Sequence, residues 1–109
     1  MAKKYDKLVR DNIPSIIVSD GKRCTYRKVE GEELKTYLHK KIDEEVAELH
    51  NAKTPKEVCE EIIDIIDVLQ RLAGEEGITD ELLHEVSDAK DVNGRFEEGY
   101  VLEEVEEVE

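Results

Sequence analysis

Two long stretches of the chain carry apolar residues at helical spacing. From about Glu30 to Asn51 the apolar stripe consists of Leu34, Leu38, Ile42, Val46 and Leu49. From Pro55 to about Ala73 a wider apolar face follows, made of Val58, Ile62, Ile65, Ile66, Leu69, Leu72 and Ala73. Both patterns predict amphipathic α-helices. The second helix is apolar enough to need cover on more than one side.

Capping signals mark where the second long helix begins and ends. Thr54-Pro55-Lys56-Glu57 is a capping box with proline at the first helical position. Gly74 and Gly77 follow Ala73 and indicate the end of the helix, because glycine readily adopts the backbone conformation that terminates one.

Two shorter helices are predicted before and after this pair. Asp11 or Asn12 can cap a helix that has Pro14 in its first turn and runs to about residue 19. A capping threonine starts a further helix, from about Asp80 to Asp91. The residues of that helix expected to face inward are Leu82, Leu83, Val86 and Ala89.

Two further segments show the composition of β-strands. Arg23–Val29 alternates and contains Thr, Tyr and Val, and Tyr100–Val105 is rich in β-branched and aromatic residues. We expect these segments to pair as a small antiparallel β element, with a helix as the alternative for the Glu-rich tail. The predicted fold class is therefore all-α, about four helices in a bundle with a small β element, in a single domain spanning residues 1–109.

Composition points to a thin core. Only 39% of the residues are apolar and 41% are charged, and there is no Trp and one Phe. We therefore expect a homodimer or higher homo-oligomer, which would bury additional apolar surface. The absence of a signal-like start and of a membrane-spanning run predicts a cytoplasmic protein without a membrane partner. Cys24 and Cys59, which lack metal-binding spacing, are expected to be free thiols.

The net charge of −13 is unevenly distributed along the chain. Residues 1–41 contain 11 Lys and Arg against 6 Asp and Glu, whereas residues 42–109 contain 5 against 23. Wrapping a nucleic acid polymer would require a broad basic face, so this class of partner is not expected. The balance fits a small anionic ligand held between cation-loaded carboxylates and a few basic side chains.

Two acidic motifs lie on the two long predicted helices. They are Glu44-Glu45-Val46-Ala47-Glu48 and Glu60-Glu61-Ile62-Ile63-Asp64. Residues three apart share a helix face. Glu45 and Glu48 therefore lie on one face of the first helix, and Glu61 and Asp64 lie on one face of the second. If the helices pack antiparallel, these four carboxylates converge and repel one another unless a cation neutralises them. An all-oxygen cluster suits a hard divalent ion, Mg²⁺ first.

A plainer interpretation of these acids stays open. Glutamate is common on solvated helix faces, and an acidic helical interaction protein would also carry many. Glu45 and Glu61, however, border apolar stripes, and a carboxylate near a buried surface needs a partner. A protein that binds a nucleotide or a metal without turnover is a second alternative.

The motifs together resemble a known family. Glu44-Glu45-x-x-Glu48 followed by Glu61-x-x-Asp64 resembles the signature of the MazG-like nucleoside triphosphate pyrophosphohydrolases, in the all-α NTP pyrophosphatase superfamily. Lys7–Pro14 resembles the opening of a subgroup labelled phosphoribosyl-ATP pyrophosphohydrolase-like, and Lys90–Phe96 resembles its closing segment. The closing segment departs from the pattern at Arg95, where the subgroup commonly has a second glycine.

The resemblance implies a MazG-like fold and a Mg²⁺-dependent hydrolase that converts an NTP, including modified or damaged nucleotides, to NMP and pyrophosphate. Such an enzyme would serve as a house-cleaning activity, and Mn²⁺ could substitute for Mg²⁺. The residues that the motif assigns to metal binding and catalysis are Glu45, Glu48, Glu61 and Asp64. Glu44 would orient or deprotonate the attacking water, or simply face solvent.

The pyrophosphate leaving group requires cations. The candidates are two residues near each end of the chain, Lys7 and Arg10 at the start and Lys90 and Arg95 near the close. For each, the alternative is a surface cation that balances an acidic protein. We favour a functional role most for Arg10, because Val9, Ile13 and Pro14 should anchor it.

Overall fold

Four α-helices form the regular secondary structure of residues 2–108, the part of the chain that the computed structural model describes. They are α1 (Ile13–Ser19), α2 (Gly31–Asn51), α3 (Pro55–Glu75) and α4 (Asp80–Asp91). The prediction of about four helices is confirmed. The chain divides into two compact units, Met1–Gly77 with α1 to α3 and Ile78–Glu109 with α4. The assignment of residues 1–109 to one domain stays a prediction.

The first unit is organised around an antiparallel pair, α2 and α3. Three residues join these two helices of 21 residues each, and the helices pack against each other. Lys35, near the start of α2, lies 3.4 Å from the carboxylate of Glu76, which directly follows α3. Leu34 and Leu38 of α2 are the buried apolar residues among those described, so the core is as thin as the composition predicts.

The start of α3 follows from its capping box. The Thr54 hydroxyl accepts a hydrogen bond from the Glu57 N–H at 3.2 Å, and Pro55 occupies the first turn, where its missing N–H costs nothing. The Glu57 carboxylate accepts from the N–H of Lys53 at 2.9 Å, one residue earlier than in the standard box. The helix continues two residues beyond the predicted Ala73, and Gly77, with φ of 70°, follows its end.

The predicted β element is wrong. Within residues 2–108, neither Arg23–Val29 nor Tyr100–Val105 forms a strand. A strand requires a paired neighbour, and alternation along the sequence is a local signal that cannot supply one. A side-chain contact connects the first segment to α2 instead. Arg27 donates two hydrogen bonds of 3.1 Å to the Glu33 carboxylate. Tyr100, Val101 and Leu102 are more than 80% exposed.

α4 begins where its cap predicts, but its apolar residues are not buried. The Thr79 hydroxyl accepts from the N–H of Leu82 at 3.1 Å. Leu82, Leu83 and Val86, which the pattern placed inward, are 44%, 51% and 48% exposed. The physical reason is that the described part of Ile78–Glu109 contains no second helix against which a helix of 12 residues could pack.

The apolar side of α3 is also uncovered. Four large residues on this side are 42% to 49% exposed. They form what we call the exposed α3 face, which consists of Ile62, Ile63, Ile66 and Leu69. Cys59 of α3 is exposed and Cys24 is half-buried, and both are the free thiols that the sequence predicts. Despite this apolar face, none of the described helices has the length and hydropathy that crossing a membrane requires.

The cap of α3 can be tested by removing one hydroxyl. We expect Thr54→Ala to lower the free energy of unfolding by about 1 kcal/mol, because the Glu57 N–H loses its acceptor. Thr36→Ala is the matched control, since this threonine lies inside α2 and its hydroxyl donates only to the Glu32 carbonyl. Urea unfolding followed by far-ultraviolet circular dichroism, at one protein concentration, measures both. Equal losses in the two variants would contradict a specific capping role.

Candidate functional site

The antiparallel packing of α2 and α3 brings acidic side chains from both helices together. One carboxylate oxygen from each of Glu45, Glu61 and Asp64 lies within 4.8 Å of the others. Glu44, Glu45 and Glu48 form a second such group on α2. Glu45 belongs to both groups, so the five acids form one carboxylate cluster.

Glu45 is the buried centre of the carboxylate cluster. Only 3% of this residue is exposed, which is unusual for a glutamate. One oxygen, Oε1, lies 3.0 Å from the Lys41 ammonium, while Oε2 has no hydrogen-bond partner among the described residues. Burial acts to raise the pKa of Glu45, but hydrogen bonding with Glu61 and Lys41 outweighs burial and lowers the pKa below its ordinary value. Glu45 is therefore ionised and only half compensated.

Glu61 responds to the charge on Glu45. Hydrogen bonding with Glu45, followed by desolvation, raises the pKa of Glu61 to about 7. Its Oε2 atom is likewise buried and without a partner in the described part of the chain. Desolvation and the charge of Glu45 also raise the pKa of Glu48. Without an added cation, the carboxylate cluster thus holds a proton close to neutral pH.

Two cations from the N-terminal segment reach the cluster. The Arg10 guanidinium bridges two carboxylates of α3, with 2.6 Å from Nη2 to Asp64 and 2.9 Å from Nη1 to Asp67. Hydrogen bonds to these two carboxylates raise the pKa of Arg10 above its already high value, so it stays charged. Lys7 lies 3.4 Å from Glu44 on the α2 side. Both residues were predicted to bind phosphate, and both lie at the rim of the carboxylate cluster.

The two cations predicted near the close of the chain lie in the other unit. Arg95 binds Asp91 through two hydrogen bonds, 2.6 Å from Nε and 2.9 Å from Nη2. Lys90 lies in the last turn of α4, where its charge complements the helix dipole, and no described carboxylate forms an ion pair with it. Phosphate binding by Lys90 and Arg95 stays a prediction.

Asp67 is the residue near the cluster that the sequence analysis missed. It contacts Arg10, and it continues the spacing of Glu61 and Asp64 by three more residues along α3. That repeat of acids at every third position was the available signal. It was overlooked because the pair Glu61 and Asp64 already accounted for the motif.

The composition of the cluster fits a hard metal ion. All donors are carboxylate oxygens, the donor type that Mg²⁺ and Ca²⁺ prefer. The unpartnered buried oxygens of Glu45 and Glu61 are the atoms that a cation would satisfy. The arrangement can therefore hold a divalent ion between α2 and α3, with Arg10 and Lys7 beside it.

Comparison with known proteins points in the same direction. A family model described as phosphoribosyl-ATP pyrophosphohydrolase matches residues 17–91, which is more than half of the chain. The matched range contains the whole carboxylate cluster and Lys90, and it leaves out Lys7, Arg10 and Arg95. Comparisons with curated proteins and with solved structures gave no significant match.

The raised pKa of Glu61 predicts how stability depends on pH without metal. Because folding raises this pKa from about 4.5 to about 7, the protonated form stabilises the fold and this contribution is lost as pH rises between those values. Glu61→Gln mimics the protonated acid. In EDTA, we expect the stability of this variant relative to wild type to increase from pH 4.5 to 7 and then level off.

Glu75→Gln is the matched control for this pH dependence. It removes the same charge from α3, at a residue paired with Arg71 and outside the carboxylate cluster. Its stability relative to wild type should change little over the same pH range. Chemical unfolding at a series of pH values measures both differences, and a flat difference for Glu61→Gln would show that Glu61 titrates normally.

Proposed function

The chain belongs to the phosphoribosyl-ATP pyrophosphohydrolase family, and from this we propose that it is a Mg²⁺-dependent nucleotide pyrophosphohydrolase. The proposed reaction consumes an NTP and one water and releases NMP and pyrophosphate. The observation that carries the proposal is the buried, half-compensated Glu45 carboxylate, which faces Glu61 and Asp64 across the helix pair. A solvated acidic surface would not bury a charge in this way.

Glu45, Glu48, Glu61 and Asp64 are the proposed metal ligands. Their oxygens come from two helices, so the cation site depends on the antiparallel packing of α2 and α3. Mg²⁺, for which Mn²⁺ could substitute, would neutralise phosphate oxygens and lower the pKa of a water molecule. The carboxylates would hold the ion between α2 and α3, beside the buried Glu45.

Glu44 is the acid we assign to the attacking water. It is half-buried, and it is grouped with Glu45 and Glu48 on α2. Lys7 and Lys41 each lie 3.4 Å from it, one at each oxygen. These contacts hold the carboxylate in one orientation, which favours a role in orienting water at the α-phosphorus.

The basic side chains would bind the triphosphate. Arg10 and Lys7 lie at the rim of the carboxylate cluster and carry the charge that a pyrophosphate leaving group requires. Lys90 and Arg95 are proposed to assist on the strength of the closing motif. Because the cluster, Arg10 and Lys7 would contact phosphates, which all NTPs share, the site fits an enzyme that removes unwanted NTPs, including modified or damaged ones.

Pyrophosphate release provides the test of this activity. With Mg²⁺ or Mn²⁺, the wild type should convert members of a panel of ordinary and modified NTPs to NMP and pyrophosphate, and EDTA should stop the reaction. Glu61→Gln should lower the rate by about 100-fold or more, since metal ions contribute several kcal/mol of charge stabilisation in such reactions. Glu75→Gln, the same substitution outside the carboxylate cluster, should retain the wild-type rate. Folded protein that releases no pyrophosphate from any nucleotide would overturn the catalytic proposal.

We also propose that the protein is a homodimer or higher homo-oligomer. The exposed α3 face presents four large apolar side chains in neighbouring turns, and no residue of α3 is fully buried. A second copy of the chain would cover such a face, because identical surfaces pair around a two-fold axis.

Light scattering coupled to size exclusion tests the oligomer. The wild type should elute with at least twice the mass of one chain, and Ile66→Lys should shift it toward the monomer by placing a charge in the exposed α3 face. Val101→Lys is the control, since it adds the same charge at a residue that is 82% exposed outside that face. A monomeric wild type at assay concentrations would contradict the proposal.

A further inference from the structure

The Arg10 guanidinium spans two carboxylates that lie one helical turn apart. Its Nη2 is 2.6 Å from Asp64 Oδ1 and its Nη1 is 2.9 Å from Asp67 Oδ2. Residues three apart on α3 share a face, so both acids present oxygens to the same planar group. The planar guanidinium suits this contact, because it offers separate N–H donors in a fixed fork.

The two partners of Arg10 differ in their other contacts. Asp64 has an oxygen within 4.8 Å of Glu45 and Glu61, in the group of acids that could hold a metal ion. Asp67 belongs to no such group among residues 2–108. A cation that takes Asp64 as a ligand therefore competes with Arg10, whereas Asp67 is left for Arg10 alone.

The backbone at Arg10 is fixed while its side chain is not. The Ile13 N–H donates to the Arg10 carbonyl at 3.1 Å, in the turn that starts α1. Leu8, Ile13 and Pro14 on either side are half-buried, whereas the Arg10 side chain is 56% exposed. The guanidinium can therefore exchange partners while the backbone at Arg10 keeps its turn.

We propose that Asp67 is a positioning residue that keeps Arg10 beside the cluster when a divalent cation takes Asp64. Arg10 would then be held on one side by Asp67 and would direct its remaining N–H groups at a nucleotide phosphate. This inference rests on the proposed function, because it needs both a cation at Asp64 and a phosphate to bind. It assigns a role to an acid that lies outside the motif.

A purely stabilising role does not account for Asp67. Its side chain is 45% exposed, and ion pairs between exposed groups contribute little to the stability of a fold. Removal of Asp67 should therefore leave stability nearly unchanged. Removal of Asp67 should instead weaken metal binding at Asp64, because Arg10 would then keep Asp64 as its one carboxylate partner.

Metal affinity in a double-mutant cycle tests the inference without any turnover. Calorimetry would measure Mg²⁺ and Mn²⁺ binding in the absence of nucleotide for wild type, Asp67→Asn, Arg10→Gln and the double variant. Arg10→Gln should bind metal about 5-fold more tightly, since it removes the competitor for Asp64. Asp67→Asn should bind metal about 5-fold more weakly, because Arg10 would then pair with Asp64 alone and compete with the cation for it. In the Arg10→Gln background, Asp67→Asn should have little further effect.

Comparison of Asp67→Asn in the wild-type and Arg10→Gln backgrounds distinguishes a positioning role of Asp67 from a purely electrostatic one. If Asp67 acted only through its negative charge, Asp67→Asn would weaken metal binding equally in both backgrounds, and this result would overturn the inference. The matched controls are Arg71→Gln and Glu75→Gln, which remove the same types of charge from an ion pair further along α3. Neither should change metal affinity, and thermal melts would show that every variant is folded.

Kinetics with the NTP panel supply the second measurement. Asp67→Asn should raise KM about 10-fold and also lower kcat, because Arg10 is mispositioned for the bound phosphates and for the leaving pyrophosphate while the carboxylate cluster is intact. The double variant should have the KM of Arg10→Gln alone. Unchanged KM in Asp67→Asn would overturn the positioning role even if the wild type binds metal and hydrolyses NTPs. A wild type that binds no metal would overturn this inference and the proposed function together.

Discussion

The burial of the Glu45 carboxylate between α2 and α3 is the constraint on which the rest of the site depends. An ion removed from water costs several kcal/mol unless opposite charge or hydrogen bonds replace its hydration. Lys41 compensates one oxygen and leaves the other without a partner in the described chain. The effect extends to Glu61, whose pKa rises to about 7 because of hydrogen bonding with Glu45, desolvation and the Glu45 charge. Protonation of Glu61 and binding of a divalent cation are two alternative ways to meet the same electrostatic demand.

Polar side-chain contacts attach the N-terminal segment of the unit Met1–Gly77 to its helix pair. Leu34 and Leu38 are its buried leucines, while side-chain contacts between Asp6 and Tyr37 and between Arg10 and α3 fasten the N-terminal segment. Groups that shape the site thus also hold the unit together. A cation bound to the folded state would therefore stabilise the fold as well as supply chemistry.

The helices and the convergence of acids could be predicted from the sequence because both depend on local signals. Periodicity and the threonine caps at 54 and 79 located α2, α3 and α4 to within one or two residues. A link of three residues between two long helices then requires antiparallel packing, which places Glu45 opposite Glu61. The functional roles of these acids stay predictions.

Features that depend on distant partners could not be predicted in the same way. Arg23–Val29 alternates like a strand, but Arg27 binds Glu33 of α2 and no described strand pairs with the segment. The apolar residues of α4 have the spacing of a buried face, yet that spacing does not say which surface covers it. Asp67 repeats the three-residue spacing of Glu61 and Asp64, but its contact with Arg10, 57 residues earlier in the chain, leaves no local signal.

Anomalous diffraction from crystals grown with Mn²⁺ would test the central claim most directly, because it locates the ion independently of activity. We expect an anomalous peak between α2 and α3, with carboxylate oxygens of Glu45, Glu61 and Asp64 as ligands. Glu45 Oε2 would then have the partner that it lacks among the described residues. Crystals that contain Mn²⁺ elsewhere, or nowhere, while Glu45 contacts Lys41 alone, would contradict a metal centre at this site.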